Sequence, residues 1–279
     1  RLRPGLSMTI AFLNGVRGGG ASRAFDADVL AWRDAVAANG GSVSLARLIV
    51  VDTFVFSEKA SGAWALTDDY WGFWAESEIQ ALTSLKQRRL AAAANSPIFT
   101  IDRSYTGDGA TSYVNLGFVP ATHGVNCTGT NQRIGAYECT NISNTGRSAG
   151  AFDTSTRVLS LLNRNATNMA GHLNHLGVSI ALTLADSRGL KVVSRAGGGT
   201  AVLSYDRGVR LADAVAAAPG SGAPTSSLFA LARNNAGTPR SPVRCAVPTA
   251  MKMRPLPFII VSISFAHAAL RRWMTASAT

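Results

Sequence analysis

Hydrophobic positions recur at helical spacing through the first third of the chain. Apolar side chains lie three or four residues apart within Asp26–Asn39, Ser44–Ser61 and Thr67–Arg89. Each segment begins with a residue whose side chain suits a helix N-terminus, and the first two end at glycine-containing pairs. The pattern predicts a unit of three helices over residues 24–96. The glycine-rich residues 1–23 precede any periodic pattern and are predicted to be a flexible lead-in.

After Asn95-Ser96-Pro97 the pattern changes to short alternating segments, because proline and the residue before it resist helical backbone. Clusters of glycine, asparagine, aspartate and serine separate these segments, which are Arg133–Glu138, Arg157–Leu162, Val178–Leu184, Lys191–Ser194, Ala201–Tyr205, Val209–Leu211 and Leu228–Ala232. Many short strands at this spacing, with no long helix between them, predict a mainly β chain with an antiparallel β-sandwich over residues 97–279.

The end of the chain departs from this pattern. Residues 241–279 contain five basic and no acidic side chains, and Met251–Ser264 holds two prolines. We therefore expect an atypical final part of the sandwich there. The longest apolar run, Phe258–Ala266, is too short to cross a bilayer, so no transmembrane helix is predicted.

Asp206-Arg207-Gly208 is predicted to be the tip of a β-hairpin. Apolar and polar residues alternate before it in Ala201–Tyr205, and Val209–Leu211 follows. Arg207 and Arg210 are then expected to point outward as a basic rim that could meet a sialylated or phosphorylated glycan or a neighbouring subunit. Ordinary surface charge is the alternative interpretation.

Two further polar residues are candidate contacts of the same kind. Asn234 and Asn235 lie in a turn-like segment that ends at Gly237. Loops at the ends of a sandwich are where binding residues concentrate, and this places the pair among the candidate contacts for a glycan or a subunit.

The net charge of +11 at pH 7 raises the question of a nucleic-acid partner. No helix-turn-helix, zinc-finger or RNP-like motif accompanies the charge. We therefore predict no specific nucleic-acid partner.

The cysteines and histidines of the sequence give little support for a metal site or a redox site. The three cysteines, Cys127, Cys139 and Cys245, are odd in number and form no C-x-x-C pair, which favours buried or partly buried free thiols. The four histidines, His123, His172, His175 and His267, form no H-E-x-x-H motif.

Calcium is the one ion for which hard oxygen ligands are present. Asp102, Asp108 and Asp153 could supply such oxygens, but no spaced D-x-D motif gathers them. Hydrogen bonding within turns is the favoured role for these aspartates. No cofactor is predicted.

Two motifs bear on catalysis. Gly146-Arg147-Ser148-Ala149-Gly150 matches the G-x-S-x-G nucleophile elbow, but the polar residues before it and the absence of a following helical pattern favour a glycine-rich loop. A retaining glycosidase requires two carboxyl groups about 5 Å apart. Glu138 is the only glutamate after Glu78, and no paired-carboxylate motif occurs. No catalytic residue is predicted, and the chain is expected not to be an enzyme.

An aromatic cluster lies in the N-terminal part of the chain. Its members are Trp64, Tyr70, Trp71, Phe73 and Trp74. Exposed rings could stack on sugars, but rings at this spacing usually form a core, and a packed core is the favoured interpretation.

The stretch Thr100–Pro120 carries a resemblance to a known family. Its phrase YTGDGATSYVNLGFVP resembles the opening Y-x-x-D-G-x-x-x-Y-x-x-x-G-F-x-P of laminin-G-like, concanavalin A-like jelly rolls of bacteriophage and prophage virion proteins. The similarity extends over roughly residues 15–240 and includes the phrases at Ala31–Ser96, Ala185–Arg195, Ser204–Leu211 and Ala232–Thr238. Such phrases identify an architecture better than a chemistry.

The resemblance implies a non-enzymatic virion structural protein whose sandwich binds glycans or neighbouring subunits. It also implies a location in the virion, after synthesis from a prophage in the bacterial cytoplasm, and no secretory signal is evident in the sequence. Self-association is left open. The alternative is a bacterial carbohydrate-binding module or glycan-active enzyme with a concanavalin-like fold.

Overall fold

A computed structural model of the chain describes part of its length. The described residues are 24–108, 111–141, 147–154, 157–165, 168–174, 182–195, 201–206, 209–215 and 222–231. The predicted lead-in and the predicted atypical tail both lie outside these residues.

Two of the three predicted helices are confirmed. Helix α1 (Ala27–Ala38) begins after Asp26, whose carboxylate accepts a hydrogen bond from the Asp28 amide at 2.9 Å. Helix α2 (Leu45–Ala60) begins after Ser44, whose hydroxyl accepts from the Arg47 amide at 3.1 Å. Both caps satisfy a backbone donor that the first helical turn leaves unpaired.

The third predicted helix, Thr67–Arg89, is wrong. Two short helices, α3 (Ala63–Leu66) and α4 (Glu78–Leu82), flank an irregular segment instead. The Asp68 carboxylate accepts from the amides of Asn126 and Cys127 in a distant loop, and does not cap a helix. The helical spacing of apolar residues is present in the sequence, but in the structure these residues form an irregular segment and not a helix.

The aromatic side chains of this segment explain its shape. Tyr70 and Trp74 lie in one hydrophobic cluster with α1 and α2, while Trp71 and Phe73 lie in a second cluster with the strands. An extended segment sends neighbouring side chains to opposite sides, whereas a helix would direct them around one cylinder. All of these rings are buried, which confirms the predicted core role.

The rest of the described chain is mainly antiparallel β structure. The strands are β1 (Ala92–Ala94), β2 (Ile98–Thr100), β3 (Ser104–Thr106), β4 (Tyr113–Asn115), β5 (Gln132–Glu138), β6 (Ala149–Thr154), β7 (Arg157–Asn165), β8 (Asn168–Leu173), β9 (Leu182–Thr183), β10 (Gly189–Arg195), β11 (Ala201–Asp206), β12 (Val209–Val215) and β13 (Phe229–Ala230). A short helix, α5 (Pro120–His123), follows β4.

These strands form two main sheets. One is seven-stranded, in the order β1-β4-β13-β6-β7-β8-β9, and the other is four-stranded, in the order β12-β11-β10-β5. Strands β2 and β3 pair with each other in a separate ribbon. All pairings in these sheets are antiparallel, which confirms the mainly β class.

The two main sheets pack face to face. Gly171 of the seven-stranded sheet lies so close to Val193 of the four-stranded sheet that a Cβ at Gly171 would come within 2.8 Å of the Val193 Cβ. Ile134 and Val193 share one hydrophobic cluster with Leu159 and Leu161 from the opposite sheet. This shared cluster forms the core of a β-sandwich.

Most of the strand predictions are confirmed, but several strands were missed. The predicted hairpin pairing is present, since Asp206 at the end of β11 lies opposite Val209 at the start of β12; its tip residues 207 and 208 lie outside the described residues. Strands β1, β2, β6 and β8 were not predicted, and β1 lies within residues 24–96, which were predicted to form the helical unit. No helix among the described residues has the length and apolar character needed to cross a membrane.

Candidate functional site

The outer face of the seven-stranded sheet carries a continuous row of residues. Leu159 and Leu161 of β7 point into the core, so Ser160 between them faces the opposite side of the sheet. The register partners of Ser160 continue across neighbouring strands, and we call this set the outer row: Asn115, Phe229, Gly150, Ser160 and His172.

Aromatic rings occupy one end of the outer row. The Phe229 ring meets the Tyr113 ring at a centroid distance of 5.2 Å and an interplanar angle of 71°. Tyr113 lies two residues before Asn115 and therefore on the same face. Phe152 lies two residues after Gly150, also on this face. All three rings are half-buried, so part of each remains accessible to solvent.

Gly150 lies in the middle of the outer row and is buried, because Ser160 packs closely against it. A Cβ at this position would lie 2.8 Å from the Ser160 Cβ and 3.2 Å from the Leu159 carbonyl oxygen. A side chain here would therefore force its neighbours to move. Because adjacent strands lie about 4.8 Å apart, Phe229 and Ser160 are separated by about 10 Å across Gly150.

Arg147 contacts the outer row at Ser160. Its Nε donates a hydrogen bond to the Ser160 Oγ at 2.9 Å, and the Ser160 side chain is buried. Burial lowers the pKa of the Arg147 guanidinium. Among the described carboxylates, none forms a salt bridge with Arg147. A half-buried cation thus lies next to Ser160.

Asp153 fixes the segment that leads into Phe229. Its carboxylate accepts from the Thr225 hydroxyl at 2.8 Å and from the Ser226 amide at 2.9 Å, and it also accepts from the Thr225 amide. Burial opposes ionisation of Asp153, but these hydrogen bonds outweigh burial and hold its pKa below the ordinary value. The ionised carboxylate therefore anchors β13 next to β6.

The G-x-S-x-G motif is neither a nucleophile elbow nor a loop over its described residues. Ser148 lies directly before β6, and Ala149 and Gly150 belong to that strand. The Ser148 hydroxyl is buried and donates to the Glu138 Oε1 at 2.6 Å. A nucleophile elbow requires an exposed serine on a sharp strand-to-helix turn, which this arrangement does not provide.

The aspartates considered for calcium are engaged elsewhere. Asp102 forms an ion pair with Arg47, while Asp108 accepts from the amides of Thr111 and Ser112 at 2.9 Å, which confirms its predicted turn role. Within the described ranges, no three histidine, cysteine, aspartate or glutamate side chains are grouped to hold a metal ion.

The cysteine prediction is confirmed where it can be checked. Cys127 is a buried free thiol and Cys139 is a partly buried one, while Cys245 lies outside the described residues. Burial, reinforced by the nearby Asp68 carboxylate, raises the pKa of the Cys127 thiol. This thiol therefore stays protonated and unreactive.

The predicted contact residues remain predictions. Arg207, Asn234 and Asn235 lie outside the described residues. Arg210 belongs to β12, at the edge of the four-stranded sheet, and its backbone pairs with that of Tyr205 in β11. The Arg210 side chain is not described. The outer row lies on the other sheet, and sequence reasoning missed it because β6 and β8 were not recognised as strands.

Comparison with known proteins gives limited guidance. No protein-family model and no curated protein matches the chain. The botulinum neurotoxin serotype D binding domain is similar over 76% of this chain and 53% of its own, with 8% identity and a TM-score of 0.49. A Trypanosoma rangeli sialidase mutant displaying trans-sialidase activity is similar over 84% of this chain and 40% of its own, with 10% identity and a TM-score of 0.46.

The chain therefore spans about half the length, or less, of these two solved structures. At these values neither likeness assigns a function to the chain. The outer row, and not the comparison, is the observation from which a function can be argued.

Proposed function

We propose that the chain is a non-enzymatic, glycan-binding β-sandwich that serves as a structural protein of a bacteriophage or prophage virion. The observation that carries the glycan part is the face of the outer row, where the half-buried rings of Phe229 and Tyr113 lie beside the polar side chain of Asn115.

This combination matches the two surfaces of a sugar. One side of a pyranose ring presents C–H bonds and packs on the flat face of an aromatic ring, while its hydroxyl groups require hydrogen-bond partners at the edge. Phe229 and Tyr113 supply the aromatic surface. Asn115, the register partner of Phe229, supplies a polar side chain at the edge of that surface.

The virion part of the proposal is supported by the sequence phrase at Thr100–Pro120. The same resemblance supports the finer fold assignment, a laminin-G-like or concanavalin A-like jelly roll. An experimental structure covering the whole chain would test that fold. Flanking genes for tail, capsid or lysis proteins would support the virion role, and a flanking polysaccharide-utilisation cluster would contradict it.

A non-catalytic role is favoured by the chemistry of the outer row. None of its five residues carries a carboxyl group, whereas most glycosidases act through a carboxylate pair. Neighbouring virion subunits are the other proposed partners, and self-association belongs to the same proposal.

Glycan binding can be tested on an array of polysaccharides and oligosaccharides with the full chain. We expect binding to at least one glycan, no release of reducing ends, and about a tenfold or greater loss of affinity in Phe229→Ala, since a lost stacking contact is worth about 1 kcal/mol or more.

Phe56→Ala provides the matched control, because Phe56 is a half-exposed phenylalanine on α2, away from the sheet. Glycan affinity should be unchanged in this variant. Equal affinity of the Phe229→Ala variant and the parent would refute the assignment of the outer row. Release of reducing ends by the parent would refute the non-enzymatic role.

A further inference from the structure

Arg147 is a half-buried arginine held in place on the outer face of the sandwich. Its Nε is committed to the buried Ser160 hydroxyl, which fixes the plane of the guanidinium on the outer face. With Nε occupied, the two terminal nitrogens are the donors that remain for a ligand. A guanidinium fork of this kind matches the oxygens of a carboxylate or sulfate through two parallel hydrogen bonds.

No protein anion neutralises this cation within the described part of the chain. Arg188, by contrast, is fully paired with Asp186 through its Nε and a terminal nitrogen. Removing a charged group from water without a partner is unfavourable, and burial accordingly lowers the pKa of Arg147. An anion placed at Arg147 would relieve this cost.

We propose that the outer row selects glycans carrying an anionic substituent, a carboxylate or a sulfate ester, which Arg147 binds while Phe229 stacks on an adjacent sugar ring. This inference rests on the proposed glycan-binding function. Phe229 and Ser160 lie two strands apart, which sets the spacing between the stacked ring and the anionic group at about 10 Å. The net charge of +11 attracts such ligands from a distance.

The test compares matched oligosaccharides that differ only at the terminal sugar, which is neutral, carboxylated or sulfated. We expect the parent to bind at least one anionic form tenfold or more tightly than the neutral form, with affinity falling as salt increases. The relative affinities of the carboxylated and sulfated forms identify which anion is recognised.

Arg147→Gln should bind the anionic form no more tightly than the neutral form, while affinity for the neutral form stays unchanged. Arg147→Lys retains the charge and should recover part of the preference, because an ammonium lacks the planar fork. Arg188→Gln, a change at an exposed and already paired arginine, should keep the full preference. Thermal melts of all variants establish that each is folded.

The outcomes separate the inference from the function on which it rests. Equal binding of neutral and anionic forms by the parent overturns the inference and leaves glycan binding intact. Loss of the preference in Arg188→Gln to the same degree as in Arg147→Gln also overturns it, because general charge would then explain the effect. Failure of the parent to bind any glycan overturns both.

Discussion

The ring of Trp71 packs edge-on against the ring of Phe118, with centroids 6.4 Å apart and planes inclined at 81°. Trp71 belongs to the irregular segment after the helices, and Phe118 follows β4 of the seven-stranded sheet. Both side chains are fully buried in the cluster that also contains the sandwich core. The irregular segment that follows the helices therefore shares one hydrophobic core with the sandwich.

Trp71→Ala should lower the free energy of unfolding by about 3–5 kcal/mol, because truncating a buried tryptophan removes its apolar contacts and leaves a cavity. Chemical denaturation measured by fluorescence and by far-UV circular dichroism should give one coincident transition in the parent. Phe56→Ala, at a half-exposed ring, should cost far less. A parent that unfolds in two separate steps would contradict a shared core.

Gly171→Ala should destabilise the sandwich by about 1–3 kcal/mol, as overpacking of a core does. The added methyl group would overlap with the Val193 side chain across the two sheets. Val193→Ala removes two of the three atoms that obstruct it, the γ carbons, and leaves the Cβ. The double variant should therefore be more stable than the sum of the two single changes predicts, by 0.5 kcal/mol or more. Strict additivity would show that the sheets do not meet at this pair.

Sequence periodicity predicted the sandwich well because strand alternation and turn residues are local signals. It failed between Thr67 and Glu76, where burial in two different cores places apolar residues at spacings that imitate a helix. It also failed at Gly150, because a glycine in the sequence indicates a turn. Only the structure shows that Gly150 lies in a strand and packs against Ser160.

The outer row could not be predicted for a related reason. Its members Asn115, Phe229, Gly150, Ser160 and His172 lie on five different strands, and strand order determines that they are neighbours. The order β4-β13-β6 brings the end of the described chain between two earlier strands. Alternation within each strand indicates only which residues share a face, and not which strands are adjacent.

Ser148→Ala should lower stability by about 1–3 kcal/mol, because it removes a hydrogen bond to the buried Glu138 carboxylate. Ser148 of the parent should not react with a fluorophosphonate probe, since its side chain is buried and its hydroxyl is hydrogen-bonded to Glu138. Mass spectrometry after incubation with the probe provides the measurement. Covalent labelling at Ser148 would restore the hydrolase interpretation.

Asp69 should make the fold less stable as pH rises from about 4 to 6. Burial raises its pKa from 3.8 to about 6, in spite of hydrogen bonds from the amides of Gln87 and Tyr70. The folded state therefore holds a proton in this range that the unfolded state has released. The stabilisation that protonated Asp69 provides is fully present below pH 4 and is lost as pH rises through the folded pKa. The free energy of unfolding should fall by about 3 kcal/mol in total.

Asp69→Asn should remove this part of the pH dependence. Glu58 has a pKa raised by burial to about 7 and contributes in the same direction, so the difference between variant and parent isolates Asp69. Asp34→Asn, at an exposed aspartate, should leave the profile unchanged. Denaturation midpoints between pH 4 and 7 provide the comparison. Parallel profiles for the parent and Asp69→Asn would show that Asp69 does not titrate in this range.

Asp153→Ala should weaken glycan binding, although Asp153 does not belong to the outer row. Its carboxylate holds Thr225 and Ser226, and this segment positions Phe229. Without that anchor, the amides of Thr225 and Ser226 should exchange with solvent faster, and affinity should fall several-fold because Phe229 must be ordered on binding. Asp153→Asn keeps one carbonyl oxygen as an acceptor and should recover part of both effects.

The pH dependence of the same anchor gives an independent check. Because the hydrogen bonds hold the pKa of Asp153 below 3.8, its stabilising effect is present above that pH and is lost as pH falls through the lower folded value. Protection of the Thr225 and Ser226 amides should therefore persist at pH 5 and disappear only under more acidic conditions. Loss of protection already between pH 7 and 5 would show that another group anchors the segment before Phe229.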